Sequence, residues 1–174
     1  MVETVEINHL KVNEIFMGVL SNIASTMLNT KLDYAPPDVE LNSVMPGEIT
    51  SIMNISGYLK GKSFKGVFAV SWSEEAYIAM ANIMLMEEYT ELNEENMDAG
   101  CELVNIIYGN CKPELAENDF QVDMSIPMLA RAQNFEILSL KLTPSMITTI
   151  NSSIGQFHVV LSMTMLEDEA EVGF

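Results

Sequence analysis

The strongest constraint on the fold is a pair of neighbouring apolar segments separated by a short loop that contains glycine. Residues 49–59 and 64–72 have the length and composition of β-strands, and residues 60–63 between them read Lys-Gly-Lys-Ser. A connection this short joins antiparallel strands in a hairpin. Because side chains alternate along a strand, the second segment places four large apolar residues on one face: Phe64, Phe68, Val70 and Trp72.

Three segments predict helices. Apolar residues recur at helical spacing from Val12 to Leu28. Ser73, followed by two glutamates, can cap a second helix that runs to about Met86. A third helix is expected from about Met97 to Cys111, and Pro113 either ends it or opens a short turn of helix.

Further β segments are predicted at residues 39–44, 121–125, 135–142 and 146–165, the last broken by a turn at 152–155. Because the strands cluster rather than alternate with helices, the pattern favours an α+β fold over a doubly wound parallel sheet. We expect a mixed or antiparallel β-sheet packed against long helices. The length of 174 residues fits one domain over residues 1–174, with an acidic C-terminal tail from about residue 167.

Charge restricts the partners of the chain. It has 25 acidic and 8 basic residues, for a net charge of −17. This balance disfavours nucleic acid and an anionic membrane surface, and it favours a metal or a protein partner with exposed lysine or arginine. Solubility alone is an equally good explanation of the charge. With no signal peptide and no apolar run long enough to span a membrane, we expect a cytoplasmic protein.

The sequence lacks the residue patterns that several common types of site require. Cys101 and Cys111 are about 15 Å apart along one predicted helix, too far for a disulfide, and we expect reduced core residues. His9 and His158 are isolated, which disfavours a catalytic triad and a zinc site, and His158 is expected to be structural. No glycine-rich phosphate-binding loop occurs, and no metal site is expected in this chain.

The third helix carries the remaining candidate. Glu102, Asn105, Gly109 and Lys112 recur at i, i+3, i+7 and i+10, opposite an apolar face. Residues three apart project together, so a carboxylate that can hold a partner's lysine lies beside an amide that can orient a water. Such a pair suits phosphoryl hydrolysis, which needs mainly positioning and charge stabilisation. The same pattern also fits an ordinary exposed face, and Gly109 either admits another surface or is a concession to packing.

The segment from Ala99 to Lys112, with its single Glu-x-x-Asn pair, resembles the signature helix of the CheX/CheC family of chemotaxis phosphatases. Residues 67–76 are similar to the strand that leads into a helix in that family, 122–127 to its strand ending in proline, and 155–161 to its last strand. The resemblance covers about residues 11–165, and its specificity comes from the order of the motifs.

The resemblance implies a CheX-like phosphatase that removes phosphate from the phospho-aspartate of a CheY-like response regulator. Asn105 would place the water in line, and Glu102 would pair with a lysine of the receiver. Mg²⁺ would be bound by the receiver, with no cofactor on this chain. Asp98, Gly109 and Lys112 are the expected partner-binding residues.

The resemblance also implies a homodimer with one such helix per subunit. The first helix offers no second Glu-x-x-Asn around residues 13–17, which favours the single-motif, CheX-like version. Many relatives carry glycine a few residues after the proline, where this chain reads Met-Leu-Ala-Arg after Pro127. The resemblance therefore does not predict the conformation of the loop at this point.

Two other functions remain open. The same fold could serve as a non-catalytic module that docks receivers or a flagellar-switch component, and binding without turnover would distinguish it. The third hypothesis is a metal-dependent enzyme that uses surface acids, which predicts that Mg²⁺ shifts the thermal melt of the free protein.

Overall fold

The predicted hairpin forms the centre of an antiparallel sheet in a computed structural model that describes residues 5–41, 44–137 and 143–167. The helices of the described residues are α1 (His9–Thr26), α2 (Glu74–Leu85) and α3 (Ala99–Glu117). The strands are β1 (Asp33–Tyr34), β2 (Asp38–Glu40), β3 (Ile49–Leu59), β4 (Lys62–Trp72), β5 (Phe120–Val122), β6 (Met128–Arg131), β7 (Ser145–Ser152) and β8 (Gly155–Met165).

The strand order is β1-β7-β8-β4-β3-β5, with β2 also paired to β7 and β6 also paired to β3. Every registered strand pair is antiparallel. Lys60 and Gly61 form the turn between β3 and β4 with positive φ angles of 50° and 82°. Positive φ at both central residues matches the twist of a two-residue hairpin, which explains why a glycine occupies the turn.

The helices cover one face of the sheet. Phe64, Phe68, Val70 and Trp72 point to this face, as predicted, and they join the main hydrophobic core. Phe16 of α1 packs on Phe68 with ring centroids 4.6 Å apart. A smaller apolar cluster lies on the opposite face, around Ile52, Val67, Ala69 and Val160. The α+β architecture with helices on one side of an antiparallel sheet is therefore confirmed.

Of the two alternatives predicted for Pro113, the one in which it ends the third helix is wrong. α3 continues to Glu117 with Pro113 inside it. Proline removes the N–H that would bond the carbonyl of Gly109, four residues earlier, but both residues are exposed and water can serve that carbonyl. Cys111 and Leu115 are buried on the opposite side, so packing of the last turns outweighs the loss.

Two strand predictions also differ from the structure. The strand β6 was missed because it has only four residues, exposed at both ends and half-buried between, which do not alternate. The strand predicted at 135–142 lies partly outside the described residues, and within 135–137 only Glu136 pairs, in an isolated bridge to Val44. No helix in the described ranges is long and apolar enough to cross a membrane.

Candidate active site

Glycine at position 100 lets α3 lie directly on the sheet. A Cβ added to Gly100 would overlap Ser51 Oγ of β3 and lie 2.6 Å from Tyr77 Cε2 of α2. Both neighbours are fully buried and cannot move aside easily. The glycine therefore fixes how close the N-terminal half of α3 comes to β3 and α2. It thereby also fixes how far the exposed face of α3 stands from the sheet.

The Tyr77 hydroxyl takes the place of a local helix cap. Asp98 precedes α3, but its side chain makes no capping hydrogen bond. Instead Gly100 N donates to Tyr77 Oη at 3.0 Å, and Tyr77 Oη donates to the carbonyl of Met97 at 2.6 Å. Burial raises the pKa of Tyr77 to about 12, so the hydroxyl stays protonated and can donate. A residue of α2 thus holds the first turn of α3 in place.

The predicted polar stripe is exposed. The apolar face of α3 is buried as its spacing predicts, so the opposite side faces outward. Asp98, Glu102, Asn105 and Gly109 are exposed, and Lys112 is half-buried. Within the described ranges, no hydrogen bond or ion pair engages the Glu102 carboxylate or the Asn105 amide. Both groups are therefore available to another molecule.

Gly109 has no packing role among the residues that the structure describes. No atom lies within 4 Å of a Cβ added to it. The alternative that Gly109 is a concession to packing is thus not supported by the described residues. Gly109 leaves the backbone of the stripe uncovered at this position. Glycine inside a helix lowers helix stability, so this exposed backbone comes at a cost to the fold.

One flank of the stripe is bordered by apolar side chains. Tyr108 lies on the same flank as Asn105 and Lys112, and its hydroxyl donates to the carbonyl of Asp123 at 2.8 Å. This bond holds the connection between β5 and β6 beside α3. Met124 and Ile126 in that connection are 93% and 86% exposed. Lys112 lies over the Tyr108 ring, with Nζ 5.0 Å from its centroid.

The cysteines of α3 are unsuited to nucleophilic catalysis. Burial, and secondarily the Asp98 carboxylate, raises the pKa of Cys101. Burial raises the pKa of Cys111 to about 12, with a smaller contribution from Glu114. Since the thiolate is the nucleophile, both groups are poorly reactive at neutral pH. Cys101 is half-buried rather than part of the core as expected.

No group of three or more histidine, cysteine, aspartate or glutamate side chains in the described part of the chain could hold a metal ion.

The sequence prediction found the Glu102–Asn105 stripe but missed Tyr77 and Ser51. Their contribution arises from contacts between elements distant in sequence, and no local pattern signals it.

The family of the chain follows from a comparison of its sequence with protein-family models. Residues 49–151 match the family described as "Chemotaxis phosphatase CheX", a range that includes all of α3. The chain belongs to the CheX family of chemotaxis phosphatases. Among curated proteins, none matches the sequence.

Solved structures of the CheX/CheC group share the fold. A CheC-like superfamily protein from Shewanella sp. PV-4 has a TM-score of 0.77 at 22% identity, over 90% of this chain and 99% of its own. The chemotaxis protein CheX from Vibrio vulnificus has a TM-score of 0.75 at 21% identity, over 88% and 99%. CheX in the CheX–CheY–BeF3–Mg²⁺ complex from Borrelia burgdorferi has a TM-score of 0.65 at 18% identity, over 91% and 100%.

Proposed function

We propose that this chain hydrolyses the aspartyl phosphate of a CheY-like receiver protein in chemotaxis, and that Glu102 and Asn105 are its working pair. The observation that carries the proposal is the pair itself: an exposed carboxylate and amide, without partners among the described residues, on the outward face of a helix of a CheX-family chain. The Borrelia burgdorferi relative in its complex with CheY, BeF3 and Mg²⁺ supports the choice of partner.

In the proposed reaction the Asn105 amide orients a water towards phosphorus, opposite the bond to the aspartyl oxygen. The water adds as that bond breaks, which releases the receiver carboxylate and leaves both protons of the water on inorganic phosphate. Orientation of a water in line is the main task in phosphoryl transfer. Mg²⁺ belongs to the receiver, where it would neutralise charge on the phosphoryl oxygens.

Glu102 contributes binding rather than chemistry. It lies one helical turn from Asn105, so a receiver lysine paired with Glu102 would place the acyl phosphate near the amide. Gly109 exposes bare backbone further along the stripe, where the receiver can approach closely. Asp98 and Lys112 lie at its two ends and complete the proposed contact surface.

The test measures phosphate release from a CheY receiver that has been phosphorylated by a small-molecule donor in the presence of Mg²⁺. We expect Asn105→Ala to lower kcat by about 10²-fold or more. We expect Glu102→Gln to raise KM with a smaller effect on kcat. Asn110→Ala and Glu117→Gln are matched controls, because both residues are exposed on α3 away from the stripe.

Unchanged turnover by Asn105→Ala would remove Asn105 from the mechanism. Binding of the BeF3-treated receiver without faster loss of phosphate would instead identify a non-catalytic docking module. Equal losses in Asn110→Ala and Asn105→Ala would indicate damage to α3 as a whole.

A further inference from the structure

Lys112 is an isolated positive charge in an acidic part of the chain. It is the one lysine or arginine between Lys65 and Arg131, a stretch rich in aspartate and glutamate. Elsewhere on the described surface, Lys11 and Arg131 each pair with a glutamate. No carboxylate of the described residues lies within ion-pair distance of the Lys112 ammonium. This ammonium is therefore available to an anion from another molecule.

The Tyr108 ring holds the ammonium on the side of Asn105. Lys112 comes seven residues after Asn105, nearly two full turns, so both lie along one line of α3. Side chains of a helix lean towards its N-terminus. The Lys112 Nζ accordingly lies over the ring of Tyr108, 5.0 Å from its centroid, and Tyr108 is three residues from Asn105. The ammonium is thereby brought back to about one helical turn from Asn105.

The Tyr108 ring is itself fixed to the sheet. Its hydroxyl donates to the carbonyl of Asp123 at 2.8 Å. The Asp123 N–H donates to the carbonyl of Ser56 at 2.9 Å, and the Asp123 carboxylate accepts from the Ser56 hydroxyl at 2.8 Å. Burial, and secondarily the Asp123 carboxylate, raises the pKa of Tyr108 to about 12, so the phenol stays neutral and can donate. These hydrogen bonds connect β3 to the ring on which the ammonium rests.

A phosphoryl group needs a positive charge at this stripe. During transfer its negative charge is spread over three oxygens, and a lysine ammonium is a suitable partner for them. Asp98 and Glu102 on the same stripe repel such a group, as does the net charge of −17. Glu102 is assigned to a lysine of the receiver. Lys112 is then the cation of the described stripe that can face the phosphoryl oxygens.

We propose that the Lys112 ammonium contacts the phosphoryl oxygens of a bound aspartyl phosphate and stabilises their negative charge while water adds. Tyr108 acts through Lys112, as a positioning residue. No bond to Lys112 forms or breaks in the reaction. This inference rests on the proposed phosphatase function and adds to it a charge-stabilising residue, separate from the Asn105 amide and the Glu102 carboxylate.

Two measurements separate contact with the phosphoryl group from general binding. The first compares the affinity for a CheY receiver in Mg²⁺ alone with that in Mg²⁺ and BeF3, which stands in for the phosphoryl group. The second measures phosphate release at saturating phosphorylated receiver. We expect Lys112→Gln to reduce the preference for the BeF3-treated receiver about tenfold and to lower kcat by a similar factor. Its affinity for the untreated receiver should change little.

Three variants serve as controls. Lys112→Arg keeps the positive charge and should retain most of the preference. Lys65, two residues before Val67, lies on the face of the sheet away from the helices, so Lys65→Gln removes the same charge far from α3 and should behave as the wild type. Tyr108→Phe keeps the ring but loses the bond to Asp123, so the preference should fall by less than in Lys112→Gln. A merely structural role of Tyr108 would instead weaken binding of both receiver forms equally.

The proposal is overturned if Lys112→Gln prefers the BeF3-treated receiver as strongly as the wild type does, or if the wild type has no such preference. A loss of equal size in Lys65→Gln would assign the effect to net charge and would also overturn it. The proposed function is judged separately, by the effect of Asn105→Ala on phosphate release. Wild-type turnover in Lys112→Gln would exclude Lys112 and leave Asn105 in place. A wild type that does not speed phosphate release, but whose preference depends on Lys112, would refute the proposed function while supporting this contact.

Discussion

Replacing each of two glycines of α3 by alanine tests how the helix is seated. At Gly100 the new Cβ would overlap Ser51 Oγ and lie 2.6 Å from a buried ring carbon of Tyr77. At Gly109 the new Cβ meets nothing within 4 Å. The two substitutions are chemically identical and differ only in what surrounds them.

The expected magnitudes follow from two opposing effects. Alanine is favoured over glycine in a helix by about 1 kcal/mol, and this gain applies to both positions. Overpacking a filled core costs about 1–3 kcal/mol, and this cost applies only at Gly100. Gly109→Ala should therefore stabilise the protein by up to about 1 kcal/mol, while Gly100→Ala should be about 1–3 kcal/mol less stable than Gly109→Ala.

Urea-induced unfolding of both variants, followed by circular dichroism, measures this difference directly. The double variant Ser51→Ala with Gly100→Ala removes the overlapping oxygen and should recover part of the loss. If Gly100→Ala and Gly109→Ala have equal free energies of unfolding, α3 does not rest on β3 and Tyr77 as described. A loss at Gly109 of the same size would refute the inference that this glycine is free of internal packing.

Three further outcomes are expected. Tyr77→Phe removes the hydroxyl that accepts from Gly100 N and should cost about 1–3 kcal/mol in denaturant unfolding, whereas a neutral result would exclude the capping role. Burial lowers the pKa of His158 and of His9 in the folded protein. As the pH drops below about 6.5, the unfolded chain therefore binds more protons than the folded protein, and the free energy of unfolding falls. His158→Gln should make that decline shallower by at most about 1.4 kcal/mol per pH unit, and unchanged midpoints across this range would contradict the assignment. Pro113→Ala restores an N–H inside α3 and should raise the free energy of unfolding by up to about 3 kcal/mol, which a higher thermal midpoint would show. A lower midpoint would show that the proline is needed.

Features that depend on neighbours in sequence were predictable. The hairpin of β3 and β4 follows from two strand-like segments joined by a short glycine-containing loop, although β4 begins at Lys62 and the turn is two residues rather than the four predicted. The stripe of Glu102 and Asn105 follows from the helical period. In both cases a local periodicity decides which side chains face the core. The position of the candidate site on the exposed side of α3 could therefore be expected from residues 98–112 alone.

Features that depend on contacts between distant elements were not predictable. The cap supplied by Tyr77 from α2 has no signal in the sequence around Gly100. The continuation of α3 past Pro113 depends on how tightly Leu115 packs in the core, which outweighs a strong local helix breaker.

Both rims of the sheet are built in the same protective way. The long strands β3 and β7 are each bordered by two very short strands, with proline in the connection between them: Pro127 on one rim, Pro36 and Pro37 on the other. A long flat rim would act as a template on which further chains could add strand by strand into fibres. Interrupting each rim after two to four residues blocks that growth. With both rims interrupted, chains do not add to one another along the sheet, and the exposed face of α3 rather than a sheet edge is the surface available to another protein.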